Sequence, residues 1–185
     1  LHKNMNNKNI NILFATPCYG GSMSSETTLG YLNLSRLLHK KGIGHEIKFL
    51  VNSSLITKGR NILVAHLMEN KSFTHLMFID ADIGFNPNTF FNLLEKDKSV
   101  SGCIYPVKKI SWDNIYKNLN NIKTKSDIIN YANNNVGYPP IQNKRDNSIE
   151  ETEFLGTGFM LIKREVFLKM IKKEPDKFYK PDYPM

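Results

Sequence analysis

The stretch Thr74-His75-Leu76-Met77-Phe78-Ile79-Asp80-Ala81-Asp82 decides how the rest of the chain is read. Its apolar run, Leu76 to Ile79, stops at two aspartates one residue apart. A short apolar run bounded by polar residues reads as a buried strand of a parallel sheet. Ligands of open α/β sheets bind just outside the carboxyl ends of such strands. Asp80 and Asp82, two positions apart on extended chain, turn to the same side. Two hard oxygen ligands close together suit Mg²⁺ or Mn²⁺, ions that fill their shells with water and substrate phosphates. The plainer alternative is that the aspartates cap the next helix.

Working outward, apolar strands and amphipathic helices alternate. Ile10 to Ala15 reads as a strand, ending in the breaker-rich loop Thr16-Pro17-Cys18-Tyr19-Gly20-Gly21. A helix follows, capped by Ser24 or Ser25 and stopped by Gly42. His45 to Val51 reads as a second strand and Thr57 to Asn70 as a second helix. Asn86-Pro87 opens a third helix, and Val100 to Tyr105 reads as a fourth strand. After an Asn- and Lys-rich stretch at 107–150, holding candidate helices at 112–119 and 126–132, order returns in the strand Phe159 to Ile162 and the helix Glu165 to Lys173. The alternation predicts an α/β fold in one domain, a mostly parallel twisted sheet with helices on both faces. Residues 1–9 read as a frayed segment and 10–185 as the domain.

The bulk numbers agree with such a domain. The chain has 185 residues, 41% hydrophobic and 23% charged, and no apolar run long enough to span a bilayer. Cys18 and Cys103 lie far apart without metal-ligand spacing and read as free thiols of a reducing compartment, so the expected location is cytoplasmic. The net charge of +8 favours anionic partners. It shows no basic–aromatic interleaving on one face, so no nucleic-acid partner is expected.

Three loops are expected at the Asp80/Asp82 edge. Thr16 to Gly21 has glycines that allow close backbone approach and a helix amino terminus behind it, which favours an anion. It matches neither the dinucleotide fingerprint nor a Walker loop. Arg60, near the start of the second helix, opposes the helix dipole unless an anion sits beside it; otherwise it is a solvent-exposed arginine. Gly156-Thr157-Gly158 forms a backbone that a ligand can approach, or else a bulge or hairpin.

Taken in order, Ala15-Thr16-Pro17, Arg60-Asn61, Met77 to Ile83, Gly102 to Pro106 and Gly156 to Arg164 resemble the GT-A, or nucleotide-diphospho-sugar transferase, fold. The small family-2-like glycosyltransferases of bacteria, phages and large algal viruses are the most similar. The resemblance runs from Ile10 to Phe167 and is weakest through 115–150. It implies a Rossmann-like GT-A domain and a metal-dependent transferase that moves a sugar from a UDP- or GDP-linked donor to a hydroxyl of a glycan, lipid or protein. It implies that Thr16, Pro17, Cys18, Tyr19, Arg60, Asn61, Asp80, Ala81 and Asp82 bind the nucleotide, and that Asp80 and Asp82 hold Mn²⁺ or Mg²⁺. Cys103, Tyr105, Lys108, Lys109, Trp112, Gly156, Thr157 and Gly158 would face donor sugar or acceptor, with 107–150 a variable insertion on the acceptor side.

The chain departs from that pattern in one respect. The late acidic stretch and the histidine after it, which supply the base and complete the metal shell in such enzymes, are not found before Met185. Glu153 is the one late carboxylate to consider, and the expectation is a chain that stops short of the full domain. Two alternatives stay open: a haloacid-dehalogenase-like phosphatase, whose first Asp is a nucleophile, and a truncated, non-catalytic nucleotide-sugar-binding domain.

Overall fold

The computed structural model describes residues 10–135 and 150–177. The chain forms two compact units, one of residues 10–102 with 157–177, the other Cys103–Gly156. The stretch expected as an insertion, 107–150, falls inside the second unit, and its residues 136–149 lie outside the described residues, as does the segment 1–9.

The first unit is an α/β sheet with helices. In chain order it comprises β1 (Asn11–Cys18), α1 (Ser25–Lys41), β2 (Gly44–Val51), α2 (Ile56–Glu69), β3 (His75–Ile79), α3 (Pro87–Glu95), β4 (Val100–Gly102), β7 (Phe159–Lys163) and α6 (Arg164–Lys173). The sheet order is β2-β1-β3-β7-β4. β1 runs parallel to both β2 and β3, while β7 runs antiparallel to its neighbours β3 and β4. Four strands therefore point one way and β7 alone opposes them, so the sheet is mostly parallel as expected.

Burial explains the order. Ile12, Leu13, Phe14 and Ala15 of β1 and Leu76, Met77 and Ile79 of β3 are fully buried, as central strands covered on both faces must be. The helices are framed by their own sequence. Ser24 caps α1 by accepting from the Thr27 N–H at 3.1 Å, and Gly42 ends it in the left-handed region at φ 65°. Asn86 caps α3 and Pro87 occupies its first turn. Arg164 closes α2 from outside, donating to the carbonyls of Leu67, Met68 and Asn70.

Two expected boundaries are corrected. β1 continues through Thr16, Pro17 and Cys18, which pair with Phe49, Leu50 and Val51 of β2. Pairing with β3 stops at Ala15, so one side of the strand is open there and a proline is tolerated. The fourth strand ends at Gly102 rather than Tyr105: its last pair with β7 is Gly102 with Met160, and in this register Tyr105 would lie opposite Thr157, beyond the start of β7 at Phe159.

The second unit pairs β5 (Pro106–Ile110) with β6 (Asn133–Asn135) and carries α4 (Trp112–Lys117) and α5 (Lys125–Ala132) between them. Asn114 Nδ2 donates to the Tyr131 carbonyl at 2.9 Å, joining the helices. Thr124 and Asp127 cap α5 reciprocally. Among the described residues, no helix is long and apolar enough to cross a membrane.

α1 and the loop after β3 fit closely. A Cβ on Gly30 would lie 2.7 Å from Phe85 Cε1, and the Phe85 ring is boxed by Tyr31 at 5.5 Å and Phe159 at 5.4 Å. Gly30→Ala adds about 1 kcal/mol of helix propensity but overpacks this contact by about 1–3 kcal/mol. A net loss of stability in urea unfolding is the expected result, against the gain an open helical site would give. A second expectation concerns His75, whose pKa is lowered from 6.5 by burial and then by Lys163, with Asp97 and Glu165 opposing. The unfolded chain then binds the proton more readily than the folded one, so the contribution of His75 is intact above pH 6.5 and is lost as pH falls below it. Stability measured from pH 7.5 down to about 5 should fall less steeply in His75→Gln than in the wild type.

Candidate functional site

A cleft of about 520 Å³ opens in the first unit, lined by Pro17, Tyr19, Ser22, Met23, Ser24, Ile56, Asp80, Ala81 and Asp82. It lies where β1 and β3 end, the carboxyl edge that parallel pairing makes common to both. The 3-10 turn Tyr19–Gly21 carries the chain across this edge, with Gly20 at φ 75° and Gly21 at φ 69°. These are left-handed conformations that glycine adopts without strain.

The acidic segment is held by its backbone. The Asp80 N–H donates to the Gly158 carbonyl at 2.9 Å, and the Ser24 N–H donates to the Ala81 carbonyl at 2.8 Å. The second bond ties the residue capping α1 directly to the middle of Asp80-Ala81-Asp82. Gly84 approaches α1 so closely that a Cβ would sit 2.7 Å from Glu26 Cβ. Hydrogen bonds from its own backbone and from Ser25 and Ser24 hold the Glu26 carboxyl below its ordinary pKa.

Arg60 is not a solvent-exposed arginine. Its Nη2 donates to Asp80 Oδ1 at 2.6 Å, the two side chains being only 18% and 29% exposed. Its guanidinium stands 5.7 Å from the centre of the Phe78 ring, and its Nε is buried with no hydrogen-bond partner. The anion required beside a cation in the first turns of α2 is therefore Asp80 itself. Asp82 is exposed at the cleft.

Several expected site residues stand elsewhere. Thr16 is fully buried and its hydroxyl meets the Tyr31 hydroxyl at 2.6 Å. The Cys18 thiol is buried and donates to the Ser22 carbonyl. Neither lines the cleft, because alternation along β1 turns them inward and leaves Pro17 facing it. They shape the loop from beneath. Asn61 lines a separate groove between α2 and α6, with Val64, Ala65, Phe167 and Met170. Thr157 and Gly158 belong to the first unit, and Gly158 reaches Asp80 as described. Cys103, Tyr105, Lys108, Trp112, Glu153 and Gly156 belong to the second unit. Lys108, Trp112 and Glu153 are exposed, and burial pushes the Cys103 thiol up to about 11, protonated at neutral pH.

No family model matches the chain, and no curated protein does. Among solved structures it is similar to the A197 protein from STIV, at 19% identity over 95% of this chain and 72% of that one, with a TM-score of 0.49.

Residue reading alone missed Ser22, Met23 and Ile56 as cleft walls, and Tyr31 as the support beneath it. Burial pushes the Tyr31 phenol well above its ordinary pKa, Asp80 adding to the effect and Thr16 opposing it. Its one signal was a hydroxyl among the apolar positions of α1, a group that when buried needs a partner. Among the described residues, no group of three or more His, Cys, Asp or Glu converges on one point. The cleft thus offers two carboxylates, a helix amino terminus, an exposed aromatic ring and an arginine bound to one of the acids. In a double-mutant cycle, Arg60→Ala and Asp80→Ala should each destabilise the protein. Their coupling energy should be about 0.5–3 kcal/mol, the range for contacting groups. Purely additive losses would mean that the pair contributes nothing to the fold.

Proposed function

We propose that the protein is a glycosyltransferase that moves a sugar from a nucleotide-diphosphate sugar to an acceptor hydroxyl. The observation that carries this reading is the sharing of one cleft by Asp80, Ala81 and Asp82 with the Pro17–Ser24 loop and the α1 amino terminus. That combination meets the needs of a nucleoside diphosphate. A ring such as Tyr19 stacks on a base, an amino terminus favours phosphate oxygens, and carboxylates share a cation with the diphosphate.

The donor set fits Mn²⁺ or Mg²⁺ under one condition. Asp82 and the second oxygen of Asp80 are hard ligands, but Arg60 already holds Asp80 Oδ1, and no third acidic, histidine or cysteine ligand joins them among the described residues. Asp82 and Asp80 would hold an ion here by only two protein oxygens, leaving the rest of its shell to diphosphate and water, as Mg²⁺ commonly does. When bound, it supplies charge neutralisation to the leaving diphosphate. The chain's own residues do the rest. Tyr19 and Pro17 bound the nucleoside, the Ser24–Ala81 bond fixes the loop, and Arg60 holds Asp80 in one orientation. A base that deprotonates the acceptor is not assigned; Glu153 is exposed and carries no geometry that would make it one. The UDP- or GDP-linked donor and a cytoplasmic site of action belong to this same proposal.

The dehalogenase-like phosphatase reading has less support. Its first aspartate is a nucleophile, whereas Oδ1 of Asp80 is committed to Arg60.

Asp82→Asn removes charge while keeping size. The wild type should gain thermal stability from nucleoside diphosphates and their sugars in the presence of Mn²⁺, more than from either alone. Asp82→Asn should fold normally and lose the Mn²⁺-dependent part. A variant that fails to fold, beside a wild type indifferent to Mn²⁺ with nucleotide, would make Asp82 a structural cap and remove the transferase reading.

A further inference from the structure

β2 is an eight-residue strand at the edge of the sheet. Among the described residues, no strand pairs with its outer side. It contains neither proline nor bulge, two of the usual devices that protect an open edge. Its register with β1 fixes which backbone groups face outward. The Gly44 N–H donates to the Ile10 carbonyl, so Gly44, Glu46, Lys48 and Leu50 address β1. His45, Ile47, Phe49 and Val51 direct their N–H and C=O groups away from the sheet.

The side chains along this edge are self-complementary. In an antiparallel pair of two β2 strands, only registers that set outward-facing residues against each other make hydrogen bonds. Centring the pair on Glu46 would set Glu46 against Glu46, and centring it on Lys48 would set Lys48 against Lys48. Centring it on Ile47 sets Glu46 against Lys48 twice. Those two pairs then occupy the non-hydrogen-bonded positions, where side chains approach most closely. In the same register, His45 opposes Phe49 and Ile47 opposes Ile47, each pair exchanging two backbone hydrogen bonds.

The apolar surface beside the edge agrees. Phe49 is 43% exposed and Val51 48% exposed on the face covered by α1. Gly30 of α1 faces Phe85, and Tyr31 contacts Phe49. On the other face, Glu46 keeps one oxygen on His66 Nε2 at 2.8 Å and remains partly exposed, so a second cation can reach it.

From this we infer that the protein forms a twofold dimer through antiparallel pairing of β2 with β2 of a second copy about Ile47, making one continuous sheet. The partner is a second copy of this chain because, about Ile47, Glu46 and Lys48 of one strand meet the opposite charges of an identical strand while the outward-facing residues exchange backbone hydrogen bonds.

The test is sedimentation velocity of the full chain across a wide concentration range, with circular dichroism to confirm folding. The wild type should sediment as a dimer of the 21.3 kDa chain. Lys48→Glu and Glu46→Lys should each weaken dimerisation roughly tenfold or more, since two symmetry-related pairs become repulsive. The double variant Glu46→Lys/Lys48→Glu should recover it. Hydrogen exchange of the wild type gives a second readout that needs no variant: the amides of His45, Ile47 and Phe49 should be protected at high concentration and exposed on dilution. A monomer at every concentration, a dimer indifferent to the charge reversals, or protection of those amides in the monomer would each overturn the inference. The last result would mean that another segment of the same chain covers the edge.

Discussion

The parallel pairing of β1 with β3 is the constraint on which the cleft depends. These strands are far apart in sequence, and their register, Ile12 with His75 through Ala15 with Phe78, is fixed by side chains buried on both faces. A slip of one residue would turn every one of those side chains to the opposite face. Because the strands run the same way, their carboxyl ends arrive together, and Pro17 and Asp80 line one cavity. Local preferences alone would not achieve this; an antiparallel pairing of the same two strands would put those residues at opposite edges.

Around that pairing the walls are locked in place by short contacts. Ser24 ties α1 to Ala81, Gly30 and Gly84 admit Phe85 and Glu26, and Gly158 receives the Asp80 amide. The backbone of Asp80-Ala81-Asp82 is therefore held by the fold itself. Arg60 contributes in the same sense, neutralising Asp80 so that two acids at one strand end do not force the loop apart.

The strand ending in Asp80 and Asp82 was legible because a buried strand must be apolar and must stop where water begins. α1 was legible from Ser24, Glu26 and Gly42, whose roles are local. The direction of β7 was not, since a strand buried on both faces reads the same in either direction. Thr16 and Cys18 belong to a segment that reads as a loop, and only pairing with β2 makes it strand and turns them inward. The partner of Arg60 lies twenty residues away on another element. A charged side chain near a helix start signals that an anion is needed, not which one. Tyr31 is similar: its position on the buried face was plain, but its hydroxyl partner Thr16 follows from packing.

The place of the second unit in the chain has its own consequence. β4 and β7 are antiparallel neighbours with Gly102 opposite Met160, so Cys103–Gly156 occupies what is topologically the connection of a hairpin. The chain leaves and re-enters the sheet at adjoining points. Loop-closure entropy rises only with the logarithm of length, so the sheet is largely indifferent to how many residues are spliced there, or which. The second unit is thus an excursion from a sheet whose strand pairing is complete on either side of it.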